Sequence, residues 1–197
     1  MPYKIWDTIT NIIEKNERHQ RHHQSESITL RLDSIILNKL HREAEQKDIS
    51  VNTLVSHIIG RHIDWHSNAA KAGFVTVRRG LLIDLINRLP EKEISSIAEY
   101  IAKKETKDFV LLLRNEYNIE SALDVIETWI KISGHPYRHE VSYTRHSYVI
   151  QHDMGMNWSL YMAQQYRFLF EEFELKKVDF DITDNTLDFV VDTEKMY

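Results

Sequence analysis

Six residues, Ser27-Ile28-Thr29-Leu30-Arg31-Leu32, alternate polar and apolar, so Ile28, Leu30 and Leu32 share one face of a strand while Ser27, Thr29 and Arg31 share the other. The sequence nearby offers this strand no partner. A helix follows, with Asp33 or Ser34 as its cap and Ile36, Leu37, Leu40 and Ala44 as its apolar stripe, and it breaks at Lys47-Asp48-Ile49. Ser50 caps a second helix that carries Leu54, Val55, Ile58, Ile59 and Ile63 on one side, with Trp65 at its end. A lone strand leaves backbone donors and acceptors unpaired on both edges, and two short helices cannot enclose so much Ile, Leu and Val. The economical partner is a second copy of the chain, which gives a two-stranded antiparallel ribbon over a four-helix core with two-fold symmetry.

Ile28-Thr29-Leu30-Arg31-Leu32, the helix around Leu37 and Leu40, and Ile49-Ser50-Val51-Asn52-Thr53-Leu54-Val55 with Ile58 and Ile59 resemble the ribbon-helix-helix DNA-binding domain, the fold of the Arc and methionine repressors and of the nickel-responsive regulator. The resemblance covers residues 26–66. It implies that the paired strands enter the major groove of double-stranded DNA and place outward side chains on base edges. The base readers would then be Ser27, Thr29 and Arg31, with Arg31 able to donate two parallel hydrogen bonds to guanine. The first turn of the second helix, at Ser50, Val51 and Asn52, would hold a phosphate on free backbone N–H groups. Without DNA, the same residues reduce to a solvated strand face and an ordinary helix cap.

Charge gives this segment little general pull on a polyanion. Residues 26–66 hold 5 basic and 6 acidic side chains, a net of −1. Phosphate neutralisation supplies most non-specific DNA affinity, so a shallow salt dependence is expected. Arg18 and Arg21 lie in a polar, His-rich tract over 17–24, which serves either as a DNA arm adding phosphate contacts or as a linker. Ahead of it, Ile5, Trp6, Ile9, Ile12 and Ile13 fall at helical spacing and predict an amphipathic helix over 3–16.

The rest of the chain reads as a second domain. With 42% hydrophobic residues over 197 positions the protein can bury a real core. With no Cys, disulfides, thiol nucleophiles and Cys-based zinc sites are excluded. A boundary is expected in the small, weakly patterned stretch 68–73, followed by a short strand over 74–77. Helices are expected over 81–89, 90–104, 107–117 and 120–132, then a hairpin of 140–143 with 147–151 across Thr144-Arg145-His146. Asn157 is expected to cap a helix reaching Phe173 with Trp158, Met162, Tyr166, Leu169 and Phe173 on its apolar stripe; a second hairpin pairs 178–182 with 187–191. The order of elements is loosely similar to that of vinyl-reductase-type and haem-nitric-oxide-type sensor domains, but no motif residues match and nothing is carried over.

Chemistry in this domain is concentrated in three places. His135, His139, His146 and His152 lie close in sequence, and His139, His146 and His152, with Asp153, are candidate ligands for a transition metal, although their spacing matches no established zinc pattern. The turn 152–159 either holds an anion on its N–H groups or is a tight connection that uses Gly155 for its dihedrals. Trp158, Tyr161, Tyr166, Phe168, Phe170 and Phe173 either line an apolar ligand pocket or form core. Gly-rich phosphate loops, G-x-S-x-G and H-E-x-x-H are absent from the sequence, so no enzyme and no cofactor are expected.

The expected architecture is α+β: residues 1–25 form an amphipathic helix and His-rich arm, 26–66 a ribbon-helix-helix unit, and 73–193 a helical then β-β-α-β-β domain. The expected function is sequence-specific transcriptional regulation, as a repressor, by a cytoplasmic homodimer on double-stranded DNA. The C-terminal domain would sense a ligand, build a higher oligomer, or both. No apolar run is long enough for a membrane span. Two alternatives use the front unit only to dimerise: an antitoxin-like or scaffold protein, and a metal or small-molecule sensor.

Overall fold

The computed structural model of the protein describes residues 26–175 and 178–194. The helix expected over 3–16 and the arm with Arg18 and Arg21 lie outside them. Two compact units divide the chain, Met1–Ile49 and Ser50–Tyr197. None of the described helices is long and apolar enough to cross a membrane.

In the first unit, residues 26–33 carry no regular secondary structure, so the strand expected over 27–32 does not form among the described residues and a ribbon-helix-helix unit is not shown. A ladder needs a second strand, and the only strands among the described residues belong to the C-terminal sheet. Helix α1, Ser34–Gln46, is capped by Asp33, whose carboxylate accepts from the Ile35 N–H at 2.8 Å. Lys47 and Asp48 end it, Asp48 in the left-handed region at φ 53°.

In the second unit, α2 spans Val51–Arg61, and Ser50 caps it by accepting from the Thr53 N–H at 3.0 Å. Its helical course continues through a π-helical turn, His62–His66, to Ser67–Ala69. The expected break at 68–73 therefore differs from the observed division. Trp65 explains this, because it is buried edge-on to Phe74 and Phe109 at 5.3 and 5.2 Å and ties the end of α2 to the C-terminal unit. Residues 74–78 are not a strand.

Helices α3, Arg79–Ile86, and α4, Glu91–Ile101, follow, then a second π-helical turn, Ala102–Thr106, leading into α5, Lys107–Arg114. Helix α6, Ile119–Ser133, is capped by Asn118 and stopped by Gly134 in the left-handed region at φ 70°. Strands β1, Tyr137–Ser142, and β2, Arg145–Gln151, form a hairpin whose turn is shorter than expected, Tyr143-Thr144, with Arg145 and His146 inside β2. Helix α7, Met156–Glu172, then leads to the hairpin of β3, Asp179–Ile182, and β4, Thr186–Asp192. The antiparallel sheet runs β1-β2-β4-β3, so the two hairpins join through β2 and β4.

The inner face of the sheet carries an aromatic row, one ring per strand. His139, Tyr148, Phe189 and Phe180 occupy paired positions, with centroids 3.9, 4.7 and 5.8 Å apart in that order. Helix α7 lays Tyr166 and Phe170 on the row, 5.5 and 5.8 Å from Phe189. Of its expected stripe, Trp158, Met162, Tyr166 and Leu169 are buried, and Phe173 is half-buried.

The cap of α7 differs from expectation. Gly155 is the cap residue, and Asn157 lies inside the first turn, where its side-chain amide donates to the Ile86 and Leu89 carbonyls at 3.1 and 3.3 Å. Asn157 thus ties the start of α7 to the end of α3 and the turn after it, where the Ile86 carbonyl also accepts from the Leu89 N–H at 3.1 Å, instead of capping N–H groups of its own helix. At Gly155, φ 87° and ψ 168° lie in a region that side chains avoid, while a Cβ there would meet Asn87 only at ordinary contact distance, 3.5 Å. Dihedral strain, not space, decides the residue. Gly155→Ala is expected to lower unfolding free energy by about 1 to 3 kcal/mol, read from urea denaturation with an unchanged slope.

Candidate functional site

In the first unit, Ser27, Thr29 and Arg31 are exposed on the segment 26–33. The apolar residues that alternate with them are exposed as well: Ile28 at 78%, Leu30 at 48% and Leu32 at 41%, followed by Ile35, Ile36 and Leu37 at the start of α1. Within one chain these side chains have no core to enter. Ser50, Val51 and Asn52 form the start of α2 as expected, with the Ser50 hydroxyl engaged by the Thr53 N–H and 2.8 Å from the Thr53 hydroxyl.

The structure separates the histidines into two groups. His139 and His146 meet across β1 and β2, with His139 Nε2 3.1 Å from His146 Nδ1, while His139 Nδ1 lies 3.2 Å from Glu127 Oε2 on α6. The hydrogen bonds assign the protons: His139 Nδ1–H donates to the carboxylate and His146 Nδ1–H to His139 Nε2. Glu127 also accepts from the Tyr137 hydroxyl at 2.9 Å and Lys131 at 2.8 Å. Burial pushes its carboxyl up, but the Lys131 and Tyr137 hydrogen bonds outweigh this and hold it below the usual range.

His152 lies elsewhere, near His135, with ring centroids 6.1 Å apart. Its Nδ1 accepts from the Met154 N–H at 3.4 Å, its Nε2 is 2.9 Å from the Ser159 hydroxyl, and that hydroxyl donates to the Thr183 carbonyl at 2.5 Å. Since Nδ1 accepts, Nε2 carries the proton and donates to serine. A general base would need the opposite tautomer, and Ser159 is fully buried, so the chain of bonds fastens the start of α7 to the β3–β4 turn. The candidates His139, His146 and His152 are therefore not brought to one point, and no group of three or more possible metal ligands is assembled among the described residues.

The aromatic residues of α7 divide between two surroundings. Phe170 and Tyr166 pack on the sheet, while Trp158, Tyr161, Met162, Gln165, Leu169 and Tyr166 itself line a half-open cleft of about 860 Å³. The sequence reading left pocket and core as alternatives, and the helix serves both, with Trp158, Met162 and Tyr166 in the core and on the cleft alike. Three buried polar atoms lack a hydrogen-bond partner among the described residues: Tyr148 Oη, Trp158 Nε1 and Asp188 Oδ1.

A scan against models of known protein families, a search of curated proteins and a search of solved structures each return no match for this chain.

Burial lowers the pKa of His135, His146 and His152. Each then takes its proton more readily in the unfolded chain, so the stability present above about pH 6.5 is lost as pH falls towards the depressed folded values. Urea midpoints are expected to drop between about pH 7 and about pH 5, and His152→Gln to narrow that drop.

Proposed function

We propose that this protein is a ribbon-helix-helix homodimer that binds double-stranded DNA sequence-specifically and regulates transcription in the cytoplasm. The observation that carries the reading is the exposure of Ile28, Leu30 and Leu32 within one chain. Alternation puts these three on one strand face, and a second strand from another copy would pair the open backbone and bury them. The flanking features fit the same unit: Asp33 and Ser50 cap two helices of 13 and 11 residues, and Ile58, Ile59 and Ile63 on the second are exposed too. Ser27, Thr29 and Arg31 would then project from the ribbon into the major groove, with the start of α2 on the phosphates. The C-terminal α+β unit would sense a ligand, extend the oligomer, or both.

The net charge of −1 over residues 26–66 favours a second reading, in which the unit dimerises an antitoxin-like or scaffold protein without DNA. Selection of bound fragments from random DNA at two salt concentrations separates them. An enriched palindrome is expected, while an intact dimer that enriches nothing supports the second reading. Arg31→Ala is expected to cost about 1 to 3 kcal/mol of specific binding with the dimer intact. Leu30→Asp is expected to leave a monomer in sedimentation, because the dimer would bury an unpaired carboxylate.

A further inference from the structure

Among the described residues, β1 and β3 are the edges of the sheet. An edge strand presents a row of unpaired donors and acceptors, and proteins protect it by keeping it short or charged. Strand β3 has both protections, being four residues long with Asp179 and Asp181 exposed. A copy of β3 beside it would set carboxylates against carboxylates. Strand β1 differs. It is six residues long, its Arg138 and Glu140 are of opposite sign two positions apart, and Val141 is 58% exposed.

The first hairpin fixes which backbone groups of β1 are open. Its turn closes on the pair Ser142 and Arg145, and the Gln151 N–H donates to the Pro136 carbonyl at 2.8 Å. An antiparallel ladder bonds alternate pairs, so Pro136, Arg138, Glu140 and Ser142 turn their backbone groups to β2. The N–H and C=O groups of Tyr137, His139 and Val141 therefore point out of the sheet, and among the described residues they have no other backbone partner.

Charge selects the strand that fits. An antiparallel copy of β1 bonds these outward groups only where odd-numbered residues face odd-numbered ones. One such register sets His139 opposite the partner's His139, Arg138 opposite the partner's Glu140, and Val141 opposite the partner's Tyr137. Sliding the copy by two residues either way sets Arg138 against the partner's Arg138 or Glu140 against the partner's Glu140, and like charges directly opposite are destabilising. Arg138 and Glu140 are 70% and 68% exposed, so both side chains are free to meet a partner. The His139 ring lies 3.9 Å from that of Tyr148, closer than the strand spacing of about 4.8 Å. It therefore leans towards β2, held there by Glu127, and leaves the two-fold axis clear.

We propose that β1 pairs with β1 of a second copy, antiparallel about a two-fold axis at His139, joining two four-stranded sheets into one and covering Val141. A contact this small is transient, with a dissociation constant on the order of 0.1 mM. It goes beyond the ribbon-helix-helix reading and does not rest on it. Where ribbon dimers form, both of their chains carry a β1 edge, and the pairing links one dimer to the next.

The test uses the full chain with Leu30→Asp, which silences the ribbon, in sedimentation equilibrium from about 10 µM to about 1 mM. A monomer when dilute and a reversible dimer when concentrated are expected. On this background Glu140→Arg and Arg138→Glu should each weaken self-association about tenfold. An equimolar mixture of the two should restore dimers, because one edge is then wholly basic and the other wholly acidic. Amide hydrogen exchange of Tyr137, His139 and Val141 should slow as the dimer fills, while that of Arg138 and Glu140, already bonded to β2, should not change. No association up to about 1 mM, association indifferent to the charge reversals, or unchanged exchange at the three amides overturns the pairing. Growth beyond a dimer overturns it in favour of β1 on β3 of the next copy. A Leu30→Asp protein that stays dimeric when dilute defeats the ribbon reading instead, and the edge pairing is still decided by the charge variants and the three amides.

Discussion

Phe189 is the contact on which the C-terminal unit is assembled. It is 1% exposed on β4, stacks on Tyr148 of β2, meets Phe180 of β3, and receives Tyr166 and Phe170 from α7. Sheet register and helix placement are thereby coupled, because a shift of one residue in β4 would turn Phe189 to the outer face and remove every one of these contacts. The row extends to His139 on β1, which Glu127 of α6 holds from above. A side-chain network thus places the second covering helix against the first strand while the aromatic row places α7 against the last two.

The polar residues of this unit mostly serve as fasteners. His152, Ser159 and the Thr183 carbonyl connect the start of α7 to a turn 24 residues beyond Ser159, and Asn157 does the same between α7 and α3. Each joins elements distant in the chain by satisfying buried groups that would otherwise cost stability. Against that background, the exposed apolar stripe of Ile28, Leu30 and Leu32 near the front of the chain stands out.

Much of the local structure was legible in the sequence. Ser50 signalled the start of α2, Gly134 the end of α6, and the alternation around Thr183-Asp184-Asn185-Thr186 the last hairpin, because caps and turns depend on residues within a few positions. Asn157 misled the reading for the same reason: its composition suits a cap, but its partners are the carbonyls of Ile86 and Leu89, about 70 residues away. Closeness in sequence also grouped His152 with His139 and His146, and alternation put His146 and His152 on one strand face. The division between hydrogen-bonded pairs came from Glu127 and Ser159, which sit on different helices.

The sequence by itself determined most helix spans and the two C-terminal hairpins, which faces are apolar, and that residues 27–32 alternate as a strand would, because periodicity and capping act over one or two turns of chain. Tertiary structure alone decided that β2 pairs with β4 across α7, that Trp65 binds the end of α2 to Phe74 and Phe109, and that α7 lines a half-open cleft as well as packing on the sheet. Those outcomes depend on which apolar surfaces meet, and burial is set by the neighbours a face finds rather than by its own pattern. The alternating segment near Leu30 is the limiting case, since its pattern calls for a partner strand that the described residues do not supply.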